Sequence, residues 1–175
     1  MSKGTLKDLK TRRSIRAYRA DQITDEELDA ILDAGTYAAS GMGTQSAVFV
    51  AVQNKTTISK LQKLNAAVLN DPKAKPFYGA PTVVNVLADK KGVTPEQDGI
   101  LAMGNLMNAA AALGVGSCWI NRAKEVFDTE EGKALIKKWG LKGDYIGIAH
   151  LILGYPEGDV PKAAPRKAGN IVKVN

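Results

Sequence analysis

The chain has 175 residues, 45% of them hydrophobic and 24% charged, a composition that argues against global disorder and fits one globular domain. The net charge of +6 favours anionic ligands, but acidic and basic residues intermingle and no basic run carries interleaved aromatic residues, so nucleic acid is the less favoured partner. A single cysteine excludes an intrachain disulfide, and no apolar run reaches the ~20 residues of a membrane helix. We expect one domain over residues 1–175, in the cytoplasm and without a membrane partner.

The first distinctive feature is an arginine-rich segment after a short amphipathic stretch at 6–9. It reads Thr11-Arg12-Arg13-Ser14-Ile15-Arg16-Ala17-Tyr18. Guanidinium groups bind a phosphate or a carbonyl edge through paired hydrogen bonds, and a serine hydroxyl both donates and accepts. The segment therefore predicts an anion site. The alternative is a solvated basic patch, or arginines paired with Asp8 and the acids at 25–27.

Residues 24–39 carry the clearest helical pattern. Thr24 and Glu27 form a Thr-x-x-Glu capping box, and apolar residues then recur on one face. The next segment, Ser40-Gly41-Met42-Gly43-Thr44-Gln45, is too small and polar for a helix or a core. Its glycines allow close approach of backbone to a ligand, and Gln45 can donate to a carbonyl or a hydroxyl. A plain helix-to-strand loop explains the same residues equally well.

Apolar spacing and turn residues predict the remaining elements. The expected strands are 48–52, 83–88, 117–120 and 145–153, and the expected helices are 55–69, 98–113 and a segment from Asp128 or Thr129 to 139. A proline-containing loop is expected at 70–81, and residues 156–175 form an extended arm that cannot build a core.

The helix at 98–113 is apolar on nearly every side, and a helix of that kind must be covered all round. In a domain this small, a second subunit can supply part of the cover. Strands and helices follow one another without the regular alternation of doubly wound folds. We therefore predict an α+β fold, with helices on both sides of one sheet.

Three other features point to structure more than to chemistry. Gly114-Val115-Gly116 follows a helix and lacks a third glycine, so it is not a dinucleotide fingerprint, and Gly114 is expected to end the helix. Cys118 and His150, the only residues of their kinds, lie in predicted strands and are expected to be buried. With one of each, a metal site is not expected. If the chain is an enzyme, a bound cofactor should carry the difficult step.

Taken together, the segments at 11–18, 40–45 and 114–119 and the terminal Pro165-Arg166-Lys167 resemble the nitroreductase family of FMN-dependent oxidoreductases. The resemblance covers roughly residues 6–170. It implies an α/β/α sandwich with a central, mostly antiparallel sheet, and a homodimer with FMN at the interface.

The resemblance also implies the cofactor contacts. It places Arg12 at the phosphate of FMN, with Arg13, Ser14 and Arg16 towards the ribityl chain and the pyrimidine edge. It assigns the following residues to the rest of the site: Ser40, Gly43 and Gln45 from the partner subunit, Trp119, Ile120 and Asn121 near the ring, and Arg166 at the phosphate. Gly43 stands where the family has asparagine, and Ala164 stands where it often has lysine. Lys73 or Lys75 is a candidate for a cation near the flavin.

The implied chemistry is ping-pong transfer from NAD(P)H through FMN to a nitroaromatic, a quinone or a related small acceptor. Arg16 is a candidate electrostatic stabiliser of the reduced ring, and no side chain need act as acid or base. Two alternatives are a non-catalytic flavin-binding protein of the same fold and a basic nucleic-acid-binding domain.

Overall fold

A computed structural model describes residues 3–174. Within them the chain forms four β-strands and six α-helices. In chain order these are α1 (Lys3–Thr11), α2 (Asp25–Thr36), β1 (Ala47–Val52), α3 (Lys55–Val68), β2 (Thr82–Asp89), α4 (Pro95–Ala112), β3 (Gly116–Ile120), α5 (Ala123–Asp128), α6 (Glu130–Lys138) and β4 (Tyr145–Gly154).

The four strands form one antiparallel sheet in the order β1-β2-β4-β3. At its centre Asn85 of β2 lies opposite Val50 of β1 and His150 of β4. The register shifts between Val86 and Leu87, which marks a β-bulge. β3 lies at one edge, and its position decides where the candidate site forms.

Helices cover both faces of the sheet. One buried cluster holds Leu61 of α3, Phe127 of α5 and Leu135 of α6, and the opposite cluster holds Ile31 of α2 and Leu106 of α4. Residues 82–88 of β2 are all buried. Successive side chains of a strand point to opposite faces of the sheet, and here helices cover both faces. The predicted α+β sandwich is confirmed.

Several predicted details hold. Thr24 accepts a hydrogen bond from the N–H of Glu27, and Glu27 accepts one from the N–H of Thr24, so the capping box at the start of α2 is present. Thr129 begins α6 by accepting from the N–H of Gly132, and Gly114 leaves α4 with φ +75°. Residues 157–174 contain no helix or strand and are exposed.

Four details differ from the prediction. Helix α2 ends at Thr36 and not at 39, because the chain turns there and the N–H of Tyr37 bonds to the carbonyl of Gly35. Helix α4 begins at Pro95 and not at 98, because proline suits the first helical turn. The prediction did not include α1 and α5, whose nine and six residues are too short to show a full apolar period.

Cys118 and His150 are buried, as predicted, with 1% and 0% of their surfaces exposed. The Nδ1 atom of His150 lies 2.8 Å from Oδ1 of Asn85, and the ring packs between Phe77 and Phe127. Burial, together with the charge of Arg122, lowers the pKa of His150 to about 3. No helix between residues 3 and 174 is long and apolar enough to cross a membrane.

Candidate functional site

The arginine-rich segment runs along the edge of the sheet beside β3. Ser14 forms a parallel bridge with Ser117, and the N–H of Ile15 donates to the carbonyl of Ser117 at 2.9 Å. Ile15 and Tyr18 are buried in the core, and the hydroxyl of Tyr18 donates to the carbonyl of Ile15 at 2.6 Å. These two anchors hold the backbone in place, with Arg12 and Arg13 half-buried and Arg16 exposed.

A groove of about 280 Å³ lies between this segment and the start of β3. Its walls comprise two arginines, a serine, backbone around two glycines, and residues at the start of the C-terminal arm: Thr11, Arg12, Arg13, Ile15, Ala111, Gly114, Val115, Gly116, Ser117, Pro156 and Val160. A methyl group added at Gly116 would lie 3.0 Å from the carbonyl oxygen of Gly154, so this glycine permits the close packing at the groove.

Three buried donor atoms of the groove lack a hydrogen-bond partner: Nη1 of Arg12, Nε of Arg13 and Oγ of Ser117. Buried polar atoms in folded proteins are nearly always paired, so three orphans in one groove indicate a ligand rich in acceptor oxygens. Arg13 is held in place by its Nη1, which donates to the carbonyls of Lys10 and Arg12 at 2.9 and 2.6 Å. The arrangement suits a phosphate group.

The alternative of arginines paired with nearby acids finds no support in the contacts. Between residues 3 and 174 there are four ion pairs, and none includes Arg12, Arg13 or Arg16. Arg19, just outside the groove, does pair with Asp21 at 2.6 Å. The guanidinium of Arg16 lies 5.9 Å from the centre of the Tyr78 ring and is exposed.

The segment after β3 is held by a buried amide that the sequence prediction missed. Asn65 of α3 has no exposed surface; its Nδ2 donates to the carbonyl of Asn121 at 2.7 Å, and its Oδ1 accepts from Nε of Arg122 at 3.1 Å. Arg122 has φ +75°, an unfavourable conformation for a residue with a side chain. Ile120 is buried, and Nε1 of Trp119 donates to Oδ1 of Asn121. One hydrogen bond donated by Asn65 and one accepted from Arg122 thus hold the end of the predicted 119–121 contact region.

The predicted cofactor residues of the 40–45 segment lie in another part of the fold, away from the arginine groove. Ser40 and Gln45 line a depression of about 100 Å³ together with Phe49 and Asp98, and none of the lining residues is shared with the arginine groove. Gly43 is exposed and has φ +68°. A single copy of the chain therefore does not bring this segment to Arg12.

Arg166 also lies outside the groove. It is exposed on the arm, and its Nε and Nη2 donate to the carbonyl of Ala164 at 3.2 and 2.7 Å. Lys73 and Lys75 are exposed in the loop before β2. The contacts of residues 3–174 assign none of these three cations to the groove.

Comparison with known proteins gives the family. The model of the nitroreductase family matches residues 9–155, most of the chain. The chain belongs to the nitroreductase family. A curated member from Archaeoglobus fulgidus, named provisionally as an NADH dehydrogenase or NAD(P)H nitroreductase, is 32% identical over 160 residues, covering 88% of this chain and 86% of that protein.

Two solved nitroreductase structures have folds similar to that of this family member. The nitroreductase of Bacteroides fragilis with bound FMN is 33% identical, with a TM-score of 0.88 over 98% of both chains. A nitroreductase of Desulfitobacterium hafniense with bound FMN is 25% identical, with a TM-score of 0.88 over the full length of both. The predicted family is thus confirmed.

The structure adds Ser117, Asn65 and Asp98 to the residues that shape the site. The sequence placed Ser117 in a strand and in the 114–119 segment of the resemblance but not among the cofactor contacts, and it placed Asp98 only at the start of a helix. The one local signal was Asn65, a polar residue four positions after Leu61 on the apolar face of α3. All three contact residues that are distant in sequence, and a single sequence does not show such contacts.

Proposed function

We propose that this chain is an FMN-dependent oxidoreductase that passes electrons from NAD(P)H through FMN to a nitroaromatic, a quinone or a related acceptor by a ping-pong mechanism. The enzyme class and the cofactor agree with the family and with the relatives that carry FMN. The acceptor and the ping-pong order are our proposal, and a location in the cytoplasm stays a prediction.

The observation that carries the proposal is the set of three unpaired buried donors in the arginine groove. Arg12, Arg13 and Ser117 would hold the phosphate of FMN, whose oxygens accept several charge-assisted hydrogen bonds at once. Ser14 and Arg16 would then lie towards the ribityl chain and the pyrimidine edge. The backbone of 119–121, fixed by Asn65, would border the ring.

When bound, the flavin supplies the hydride and electron transfer. The chain's own residues bind and orient it, and the exposed Arg16 supplies positive charge beside it. Neither His150 nor Cys118 faces solvent, so neither can exchange a proton with a substrate. In this proposal the side chains contribute binding and electrostatics, and neither Cys118 nor His150 acts as a nucleophile or a general base.

We also propose that the working unit is a homodimer. Ile100 and Leu101 of α4 each leave 51% of their surface exposed, as expected of a helix that a second copy covers. Because the 40–45 segment lies apart from the arginine groove, the partner copy would bring Ser40, Gly43 and Gln45 to the flavin. Arg166 is proposed as a further phosphate ligand from the arm.

Replacing Arg12 by alanine is expected to weaken FMN binding by roughly 1.5–3 kcal/mol, the range of a hydrogen bond to a charged group. Fluorescence titration of the apoprotein with FMN measures the effect. Arg19→Ala is the matched control, because Arg19 pairs with Asp21 outside the groove, and it should bind FMN like the native protein. Native affinity in Arg12→Ala would show that the phosphate binds elsewhere.

Mixing two defective variants tests the shared site. Arg12→Ala and Gln45→Ala damage opposite walls, so a mixed dimer contains one intact site and one doubly damaged site. After the two apoproteins are unfolded and refolded together, about a quarter of all sites should regain native FMN affinity, given random pairing. Variants refolded separately are the control. If co-refolding restores no tight sites, the two walls come from the same copy.

A further inference from the structure

One buried carboxylate fastens the 40–46 segment to the body of the protein. Asp98, in the first turn of α4, is only 2% exposed. Its Oδ1 accepts from the N–H of Gly41 at 2.9 Å, and its Oδ2 accepts from Oγ of Ser46 at 2.6 Å and Oγ1 of Thr44 at 3.5 Å. Both ends of the segment thus bond to the same side chain.

The other hydrogen bonds of the segment are mostly short-range turns within it, with one further bond from the N–H of Asp89 to the carbonyl of Ser46 at 2.9 Å. Met42 and Gln45 have φ of +53° and +48°, a conformation that costs a residue with a side chain of order 1–3 kcal/mol and persists only where the surroundings enforce it. Met42 is 89% exposed, so apolar packing does not hold it within one chain. Among the hydrogen bonds inside the segment, Oγ of Ser40 accepts from the N–H of Gln45 at 3.0 Å.

The charge state of Asp98 suits this task. Burial raises the pKa of its carboxyl group, but the hydrogen bonds from Ser46, Gly41, Thr94 and Thr44 together hold the pKa below its ordinary value. The group is therefore an anion at neutral pH and only accepts hydrogen bonds. Such charge-assisted bonds are roughly twice as strong as neutral ones.

We propose that Asp98 is a positioning residue for flavin binding: it holds the 40–46 segment in the conformation in which Ser40 and Gln45 meet the FMN of the partner copy. This inference rests on the proposed function. In this proposal Asp98 acts through the segment, because its buried carboxylate is already bonded to groups of the protein. A purely structural role in α4, as an acidic residue in the first turn of the helix, would leave FMN affinity unchanged.

The test compares FMN affinity and local protection in three variants of the full chain. Asp98→Ala removes all the acceptors, Asp98→Asn keeps one oxygen, and Glu96→Ala removes an exposed carboxylate from the same first turn of α4. We expect the FMN dissociation constant to rise about tenfold in Asp98→Ala, less in Asp98→Asn, and not at all in Glu96→Ala. In the apoproteins, hydrogen exchange at the Gly41 amide should speed up only in the Asp98 variants.

The outcomes separate this inference from the proposed function. If native protein takes up no FMN, the proposed function fails and the inference falls with it. If native protein binds FMN and Asp98→Ala binds it equally well, the inference alone is overturned. Equal weakening in Asp98→Ala and Glu96→Ala also overturns it, because the effect would then belong to the helix terminus.

Discussion

Acidification from pH 6.5 to 5 is expected to lower the free energy of unfolding by about 1.6 kcal/mol through His150 alone. The folded chain keeps this imidazole neutral with a pKa of about 3, because burial disfavours the charged form. The unfolded chain takes up a proton near pH 6.5. Proton uptake by the unfolded chain therefore costs the folded state nothing well above pH 6.5, and as the pH falls below 6.5 it lowers stability by up to about 1.4 kcal/mol for each unit. Urea unfolding at a series of pH values measures the slope.

His150→Gln is the control for this slope. A glutamine amide can still donate to Oδ1 of Asn85, the partner of the histidine Nδ1, but it does not titrate. Asp98 and Glu27 have pKa values lowered by their hydrogen bonds, so the stability they contribute is present at neutral pH and is lost only in more acidic solution. Between pH 6.5 and 5 the variant should show a nearly flat profile. An equal slope in native protein and His150→Gln would refute a neutral buried histidine.

Replacing Gly147 by alanine is expected to destabilise the fold by about 3 kcal/mol, the upper part of the range for overpacking. Gly147 lies in β4, and a methyl group there would collide with the backbone of Ala123 and Lys124 at the start of α5. Backbone cannot move aside as a side chain can, so either the strand or the helix must shift. Urea unfolding at neutral pH gives the size of the loss.

Gly99→Ala is the matched comparison, since Gly99 is also buried. The atoms nearest to its added methyl group all belong to the side chain of Ile148, which can move more readily than backbone, and alanine favours a helix over glycine by roughly 0.8–1 kcal/mol. We expect a clearly smaller loss than in Gly147→Ala. Losses of equal size would mean that close approach of the α5 backbone is not what requires glycine at 147.

The sequence predicted the sheet and the longer helices because their signals are local. The valine-rich segments of β1 and β2 and the capping box at Thr24 and Glu27 depend only on neighbours in the chain. The short helices α1 and α5 escaped prediction because their stability comes from packing against the rest of the fold, not from a long apolar period. Helix ends shifted where a turn or a proline decided the boundary.

The site was predictable in part. Arg12 and Arg13 belong to a short segment with a high density of arginines, and this density is visible in the sequence alone. Their groove, however, is completed by Ser117, which reaches them only because the 14–15 backbone pairs with β3. Asp98 lies 57 positions from Gly41, and such a contact leaves no trace in local spacing. The separation of Ser40 and Gln45 from the arginine groove likewise emerged only from the fold.

The absorption spectrum of the purified protein tests the central claim most directly. The apoprotein is incubated with FMN, passed through a desalting column, and then treated with NADH or NADPH without oxygen. We predict a flavin band that travels with the protein, bleaches when the reduced nicotinamide is added, and returns when a quinone or a nitroaromatic compound follows. A protein that neither carries nor takes up FMN would contradict the account.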